Sequence, residues 1–327
     1  MGSESKPFVV ILDSAVVPDA EECELEREIL SPHAEIRHLY VKSTEDLVDG
    51  CKEADAIILW HHVTLDGPVL RQLKRCRVIV RNGVGFDNVD VRAAAQLGIP
   101  VCNVPDYGTE EVADHAMGLA LYLVRNLGKS WAEVQKGIWN WASARPIRRS
   151  RTQVFGILGC GRIGTATALR AKAFGFQTVF HDPYLPDGIE KALSLERTSS
   201  LEDLLACADV LSLHAPLTQE TRHLIDATAF SRMKRGAILV NTARGPVVNE
   251  ADLVVALESG HLYGAGLDVV ETEPSPHPRL LSLPNCIVTP HSAFYSEDSW
   301  IEMRSKSAKT VLRALQHQPL RNIVNED

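Results

Sequence analysis

Short apolar runs rich in β-branched residues recur along the chain, separated by segments in which apolar residues return every three or four positions. The runs lie at Phe8 to Asp13, Ala56 to Trp60, Val78 to Arg81, Val101 to Val104, Val154 to Leu158, Thr178 to His181, Val210 to His214, Ala237 to Asn241 and Ile287 to Thr289. Segments with a helical period include Val89 to Leu97, Val112 to Val124, Ile163 to Phe174, Ala251 to Glu258 and Glu297 to Leu315. Runs this short and apolar fit strands buried on both faces. Their alternation with amphipathic helices predicts parallel, doubly wound sheets covered by helices on both sides.

Two such sets are present, one before about residue 105 and one after about residue 150, joined by the apolar helix Glu110 to Val124. A chain of 327 residues has room for two cores. The expected class is therefore α/β, with two Rossmann-like domains. The last helix follows the second set of strands, and the pattern leaves open whether it stays there or crosses back to the first set.

Composition narrows the functions available. Hydrophobic residues make up 45% and charged residues 23%, values of an ordinary globular protein rather than a disordered or fibrous one. The net charge of −8, with basic residues dispersed, offers no footprint for nucleic acid or an anionic membrane. The densest basic stretch, Arg145 to Arg151, reads as a solvated loop or an interface. Seven cysteines, odd in number and widely spaced, form neither CxxC nor Cys/His ligand spacing, so no metal is expected and the thiols read as reduced. The opening MGSESKPF lacks the apolar core of a secretory signal, and no apolar stretch has membrane-spanning length. These features predict a cytoplasmic protein.

The segment Gly128 to Trp141 carries Trp131, Trp139 and Trp141. Two arrangements suit three indoles near a domain junction: a buried contact between subunits, or packing of the helix against its own domain.

Residues Val154 to Gly164 read as a buried strand running into Gly159-x-Gly161-x-x-Gly164 and then a helix. In such a turn the first glycine permits the tight bend, the second lets the backbone approach a pyrophosphate, and the third allows close helix packing. The phosphates sit on the free N–H groups at the helix start. Asp182 ends the next strand at about the 20-residue distance expected for a ribose-binding acid, and its charge disfavours a 2′-phosphate. NAD is the expected cofactor, in preference to NADP.

Arg244, Glu273 and His291 each follow a strand-like run directly, and ligands collect at strand ends in a doubly wound sheet. Arginine grips a carboxylate through two parallel hydrogen bonds. Histidine exchanges protons near neutrality, and a paired glutamate favours its imidazolium form. Together they suit hydride transfer to a 2-keto acid, which needs a counter-charge for the carboxylate and a proton for the alkoxide.

The segments LGCGRIG, HDPY, NTARGPVVNE, GAGLDVVETEP and VTPHSAFYSE resemble the D-isomer-specific 2-hydroxyacid dehydrogenase family in order and spacing. RNGVGFDNVD, GIPVCNVPDYGTEEVADHA and AFYSEDSWIEMR add a likeness to its branch of C-terminal-binding protein corepressors. The resemblance covers residues 56 to 323 or so. It implies a substrate domain at 1–104 completed by 296–327, an NAD domain at 105–295, and an active-site cleft between the two. It further implies that Arg244 holds the substrate, that His291 moves the proton and that Glu273 partners it. Gly159, Gly161, Arg162, Ile163, Gly164, Asp182, His214, Pro216, Thr221, Val112, Thr242, Ala243 and Asp268 would face the cofactor, with Asp268 near the carboxamide. Trp60, His61, Arg81, Gly83, Val84, Gly85 and Phe294 would face the substrate, and the stretch 128–141 matches the family's dimerisation arm.

Two departures from the corepressor pattern stand out. Phe294 replaces a pocket tryptophan, and the acidic region Val17 to Leu39 matches poorly where those proteins bind short peptide motifs. An NAD-dependent enzyme acting on a small or medium 2-keto or 2-hydroxy acid is therefore expected. The alternative is an NAD-sensing dimeric scaffold that binds peptide motifs.

Overall fold

The computed structural model describes residues 6–15 and 23–326. Positions 1–5, with most of the opening segment, and positions 17–22 of the acidic region lie outside the described residues. The chain forms two compact units, one holding the residues up to Gly108 together with those from Ser296 on, the other Thr109–Tyr295.

The first unit is built on five parallel strands: β1 Phe8–Ser14, β2 Glu35–Val41, β3 Ala56–Leu59, β4 Ile79–Arg81 and β5 Val101–Cys102, in the order β2-β1-β3-β4-β5. Val9 to Leu12 and Ala56 to Leu59 are wholly buried, as continuous apolar runs in a covered parallel sheet must be. Strand β2 escaped the hydrophobic reading because its sequence, EIRHLYV, lies at the sheet edge and is only partly buried. The helix Glu297–Leu315 belongs to this unit and begins with a reciprocal Ser296/Ser299 capping box. Arg304 fastens it to the helix Glu24–Leu30, donating from Nε and Nη2 to the two carboxylate oxygens of Glu26 at 2.7 and 2.6 Å. Glu26 is buried, so removing the guanidinium would strand a desolvated carboxylate.

The second unit carries seven parallel strands: β6 Val154–Leu158, β7 Gln177–His181, β8 Glu196–Arg197, β9 Val210–Leu213, β10 Ala237–Asn241, β11 Leu262–Leu267 and β12 Cys286–Val288. Their order is β12-β11-β10-β9-β6-β7-β8. The chain thus winds outward from β6 in one direction and from β9 in the other, which places the topological switch point between β6 and β9. Strand β11, LYGAGL, is poor in β-formers. Gly266 serves packing instead, because a Cβ there would stand 2.9 Å from Leu119 Cβ of the helix Thr109–Val124.

The aromatic segment resolves one of its two readings. In the helix Leu127–Gln135 and the turn after it, Leu127, Trp131, Ile138, Trp139 and Trp141 are exposed, Trp139 at 91%. The indoles are therefore not buried against their own unit. Among the described residues no helix is long and apolar enough to cross a membrane.

Candidate active site

Strand β6 ends in Gly159, whose φ of +86° suits only glycine, and a Cβ there would lie 2.7 Å from Ala215 N. A Cβ on Gly164 would lie 2.0 Å from the carbonyl oxygen of Gly159, so the helix Arg162–Ala173 starts flush against the turn. At Gly161, by contrast, a Cβ would meet only open space, and no side chain caps the helix. Arg162, exposed, and Ile163, half-buried, border this space. Open room before free helical N–H groups is what a pyrophosphate requires.

Asp182 braces the same turn. Its Oδ2 accepts from the Cys160 N–H at 2.9 Å and its Oδ1 from the Tyr184 N–H at 3.0 Å. The carboxylate is thereby fixed at the end of β7, with lone pairs left to accept from ribose hydroxyls.

Beyond β9 and β10, His214 Nδ1 and Thr242 Oγ1 are buried polar atoms with no hydrogen-bond partner among the described residues. His214 Nε2 meets Ser212 Oγ at 2.9 Å, and burial pushes the imidazole down to about 3, so the ring is neutral. Leaving such groups unpaired costs about 1–3 kcal/mol each. The two atoms lie at the carboxyl ends of β9 and β10, on the β9 side of the switch point, where a dinucleotide's polar groups can satisfy them, so the residues present fit the cofactor expected from the glycine turn. Pro216 opens the adjacent exposed loop, while Thr221 is turned inward, its Oγ1 donating to Pro216 O at 2.6 Å. Val112 is buried in the helix Thr109–Val124, and the Ala243 N–H donates to Asn241 Oδ1 at 3.0 Å.

The three candidate catalytic residues follow three adjacent strands: Arg244 after β10, Glu273 after β11 and His291 after β12. His291 Nδ1 and Glu273 Oε2 are 2.8 Å apart. A carboxylate only accepts, so Nδ1 carries the proton and Nε2 is the nitrogen available for proton exchange. Glu273 Oε1 accepts in turn from the Val270 N–H at 3.3 Å. The Arg244 Nη1 donates to Ala243 O at 2.8 Å, and Asn241 Nδ2 donates to Arg244 O at 3.0 Å, so the arginine sits on a braced turn. Phe294 meets the His291 ring edge-on at 6.3 Å.

Asp268 does more than its expected carboxamide role suggests. It is 2% exposed, and its carboxylate accepts from Thr289 Oγ1 at 2.6 Å, Ser292 N at 2.9 Å and Ala293 N at 3.0 Å. The His291 N–H donates to Asp268 O at 2.8 Å. These bonds build the turn that holds His291 at a φ of +52°, a conformation a non-glycine residue adopts only when its surroundings impose it. His115, from the helix Thr109–Val124, meets Thr289 Oγ1 at 2.9 Å through Nε2. Sequence gave no signal for this support, since its members are apolar-run neighbours or lie far apart in the chain.

In the first unit, the turn Gly83-Val84-Gly85 is held from the end of β5: Val104 N–H donates to Gly83 O at 3.0 Å, and Asn103 Nδ2 to Val84 O at 2.7 Å. Gly83 has a φ of +141°. Arg81 is buried, its Nη1 donating to Asn82 O at 2.9 Å. Trp60 is 1% exposed and packs on Trp300, ring centroids 5.0 Å apart, while His61 stacks on His62 at 3.8 Å.

Comparison with known proteins agrees with this geometry. Residues 117–293 match the family described as D-isomer specific 2-hydroxyacid dehydrogenase, NAD binding domain. C-terminal-binding protein 1 of Caenorhabditis elegans is 37% identical across 99% of the chain, which spans 46% of that protein. D-3-phosphoglycerate dehydrogenase of Methanocaldococcus jannaschii is 35% identical across 91% of the chain, covering 57% of its own length. The chain thus spans about half the length of these curated relatives, 46% and 57%. The solved D-lactate dehydrogenase of Aquifex aeolicus, complexed with NAD and lactic acid, superimposes with a TM-score of 0.88 at 30% identity, over 98% of this chain and 99% of that one.

Proposed function

Because the chain belongs to the D-isomer specific 2-hydroxyacid dehydrogenase family, we propose that it interconverts a small or medium-sized 2-keto acid and its D-2-hydroxy acid with NAD(H). One arrangement carries this reading: the His291–Glu273 pair at 2.8 Å, on the loops after β12 and β11, the latter strand adjoining the one that ends before Arg244.

NAD, when bound, supplies or takes the hydride at the substrate's C2. In reduction, Arg244 grips the substrate carboxylate and polarises the keto oxygen, since a guanidinium stays charged at any working pH. His291 Nε2 delivers the proton to the developing alkoxide. Glu273 holds the ring in register and balances its charge. Asp182 would accept from the adenosine ribose, and the N–H groups at the helix start, Gly161 to Gly164, with Arg162 and Ile163 beside them, would hold the pyrophosphate. His214, Pro216, Thr221, Val112, Thr242, Ala243 and Asp268 complete the cofactor side. On the family resemblance we assign the turn Gly83-Val84-Gly85 to the substrate carboxylate. Arg81 is assigned to the substrate, and Trp60, His61 and Phe294 to the pocket for its side chain, with Phe294 leaving room for an aromatic or medium apolar group. The exposed Trp131, Trp139 and Trp141 support a homodimer joined through the segment 128–141.

The test is NADH consumption with glyoxylate, pyruvate, hydroxypyruvate, phenylpyruvate and branched 2-keto acids. Turnover that is lost in Arg244→Ala and His291→Ala supports the proposal, and phenylpyruvate should exceed glyoxylate in kcat/KM. A second reading is favoured by the 37% identity to C-terminal-binding protein 1 across 99% of the chain. In it, the chain is an NAD-sensing dimeric scaffold for short peptide motifs. Absence of turnover with every acid, alongside intact NADH binding, would select that scaffold.

A further inference from the structure

We propose that Glu220, linked to Tyr184 across the glycine-rich turn, is a second determinant of which dinucleotide the protein accepts, and that the link slows its release. This rests on the assignment of the second unit as an NAD-binding domain.

The sheet order puts β6 between β9 and β7. The turn at Gly159 and Cys160 is accordingly flanked on one side by His214 and Ala215, against which a Gly159 Cβ would collide, and on the other by His181 and Asp182. On that second flank Gly159 N–H donates to His181 O and Cys160 N–H to Asp182 Oδ2, each at 2.9 Å. Tyr184 follows Asp182 by two residues, its N–H tied to the Asp182 carboxylate at 3.0 Å. Glu220 stands on the first flank, in the loop that Thr221 closes onto Pro216. The Tyr184 hydroxyl donates to Glu220 Oε2. That hydrogen bond joins the two flanks outside the carboxyl end of β6, which is where a doubly wound sheet binds its ligand.

Tyr184 is 77% exposed, so little apolar burial holds its ring in place. The hydrogen bond to Glu220, and then that residue's charge, raise the phenol above its ordinary range, which keeps it protonated as a donor. Tyr184 is tied to both acids, its N–H to Asp182 and its hydroxyl to Glu220, so the link holds a second carboxylate on the ribose side of the turn, and both charges act on the phenol. Arg197, the cation under this loop, spends its Nη2 on Asp182 O at 2.6 Å and Leu185 O at 3.0 Å. A ribose 2′-hydroxyl can donate to either acid, whereas a 2′-phosphate meets like charge from both. A ligand entering or leaving must pass the phenol–carboxylate link, so breaking it should speed exit.

Two variants separate charge from linkage. Glu220→Gln keeps an acceptor for the phenol and removes the charge, and Tyr184→Phe keeps the charge and removes the link. Binding of NADH and NADPH is followed by fluorescence titration, and NADH release by stopped flow. Glu220→Gln should raise NADPH affinity relative to NADH by about three- to fivefold at low salt, the range for an exposed charge pair, and the gain should shrink at high salt. Tyr184→Phe should release NADH about three times faster, the scale of one exposed hydrogen bond. An NADPH-to-NADH affinity ratio in Glu220→Gln within twofold of wild type overturns the selection role, and an unchanged release rate in Tyr184→Phe overturns the link. Failure of the wild-type protein to bind NADH at all would instead overturn the NAD-binding assignment, and this proposal with it.

Discussion

A methyl group on Gly245 would stand 1.9 Å from the carbonyl oxygen of Val270, so the turn carrying Arg244 and the turn leading to Glu273 touch backbone to backbone. No side chain fits there. The relative placement of the guanidinium and the carboxylate is set by this contact and by the β10–β11 pairing beneath it.

Gly245→Ala should therefore damage catalysis more than cofactor binding. Forcing an atom into a packed site costs about 1–3 kcal/mol, and here both neighbours are backbone. Calorimetry should show a melting temperature lower by several degrees, and steady-state assays a large loss of kcat/KM with the NADH dissociation constant nearly kept. Unchanged melting and turnover would mean that the two turns separate at little cost.

His291→Ala should lower kcat by about 10²- to 10⁴-fold, the usual contribution of a positioned acid or base. Glu273→Gln should cost less, because its amide can still face Nδ1 while losing the negative charge. Both should change NADH affinity far less than kcat, since neither side chain is assigned to the cofactor. A Glu273→Gln enzyme with wild-type kcat would remove Glu273 from the mechanism.

His214 should make the apo protein acid-sensitive. Burial lowers its folded value to about 3 from an ordinary 6.5, so the unfolded chain binds the proton first as pH falls. The stabilisation is complete above about pH 6.5 and is lost toward about pH 3, by at most about 1.4 kcal/mol per pH unit, or about 2 kcal/mol from pH 7 to 5. Urea midpoints at those two pH values should converge in His214→Asn. Equal pH slopes in variant and wild type would show that the imidazole is not held neutral.

The cysteines should be slow toward thiol reagents in the native state. All seven are free of disulfides. Burial pushes Cys23, Cys76, Cys102 and Cys286 up to about 12 and Cys51 to about 11, and it also raises Cys160 and Cys207. Since the thiolate is the reactive form, Ellman's reagent at pH 8 should react sluggishly with the folded protein and with seven thiols after denaturation. Rapid native labelling of a single cysteine would locate an opening that the fold does not display.

Much of the fold was legible because a buried parallel strand announces itself locally. Ala56 to Trp60 became Ala56–Leu59, and Val101 to Val104 became Val101–Cys102, trimmed at their ends but present. Strands β2, β8 and β11 were not read. The first is polar and at an edge, the second only two residues long, and the third rich in glycine because the helix Thr109–Val124 presses on it. The three Trp positions were read as candidates for burial, and their exposure emerged only from the packing around them.

The amino-acid order alone determined the elements whose reasons are local: the buried run into Gly159, the glycines that admit a helix start, the acid at Asp182, and the apolar periods of strands and helices. Tertiary structure decided which strand ends adjoin. Strand order brings Arg244, Glu273 and His291 onto neighbouring loops, gives Asp268 the turn under His291, sets Trp300 on Trp60 and reaches Tyr184 across to Glu220. A residue's own neighbours in sequence fix whether it is buried in a strand. What it touches there depends on partners that are distant along the chain, and those pairings belong to the assembled sheet.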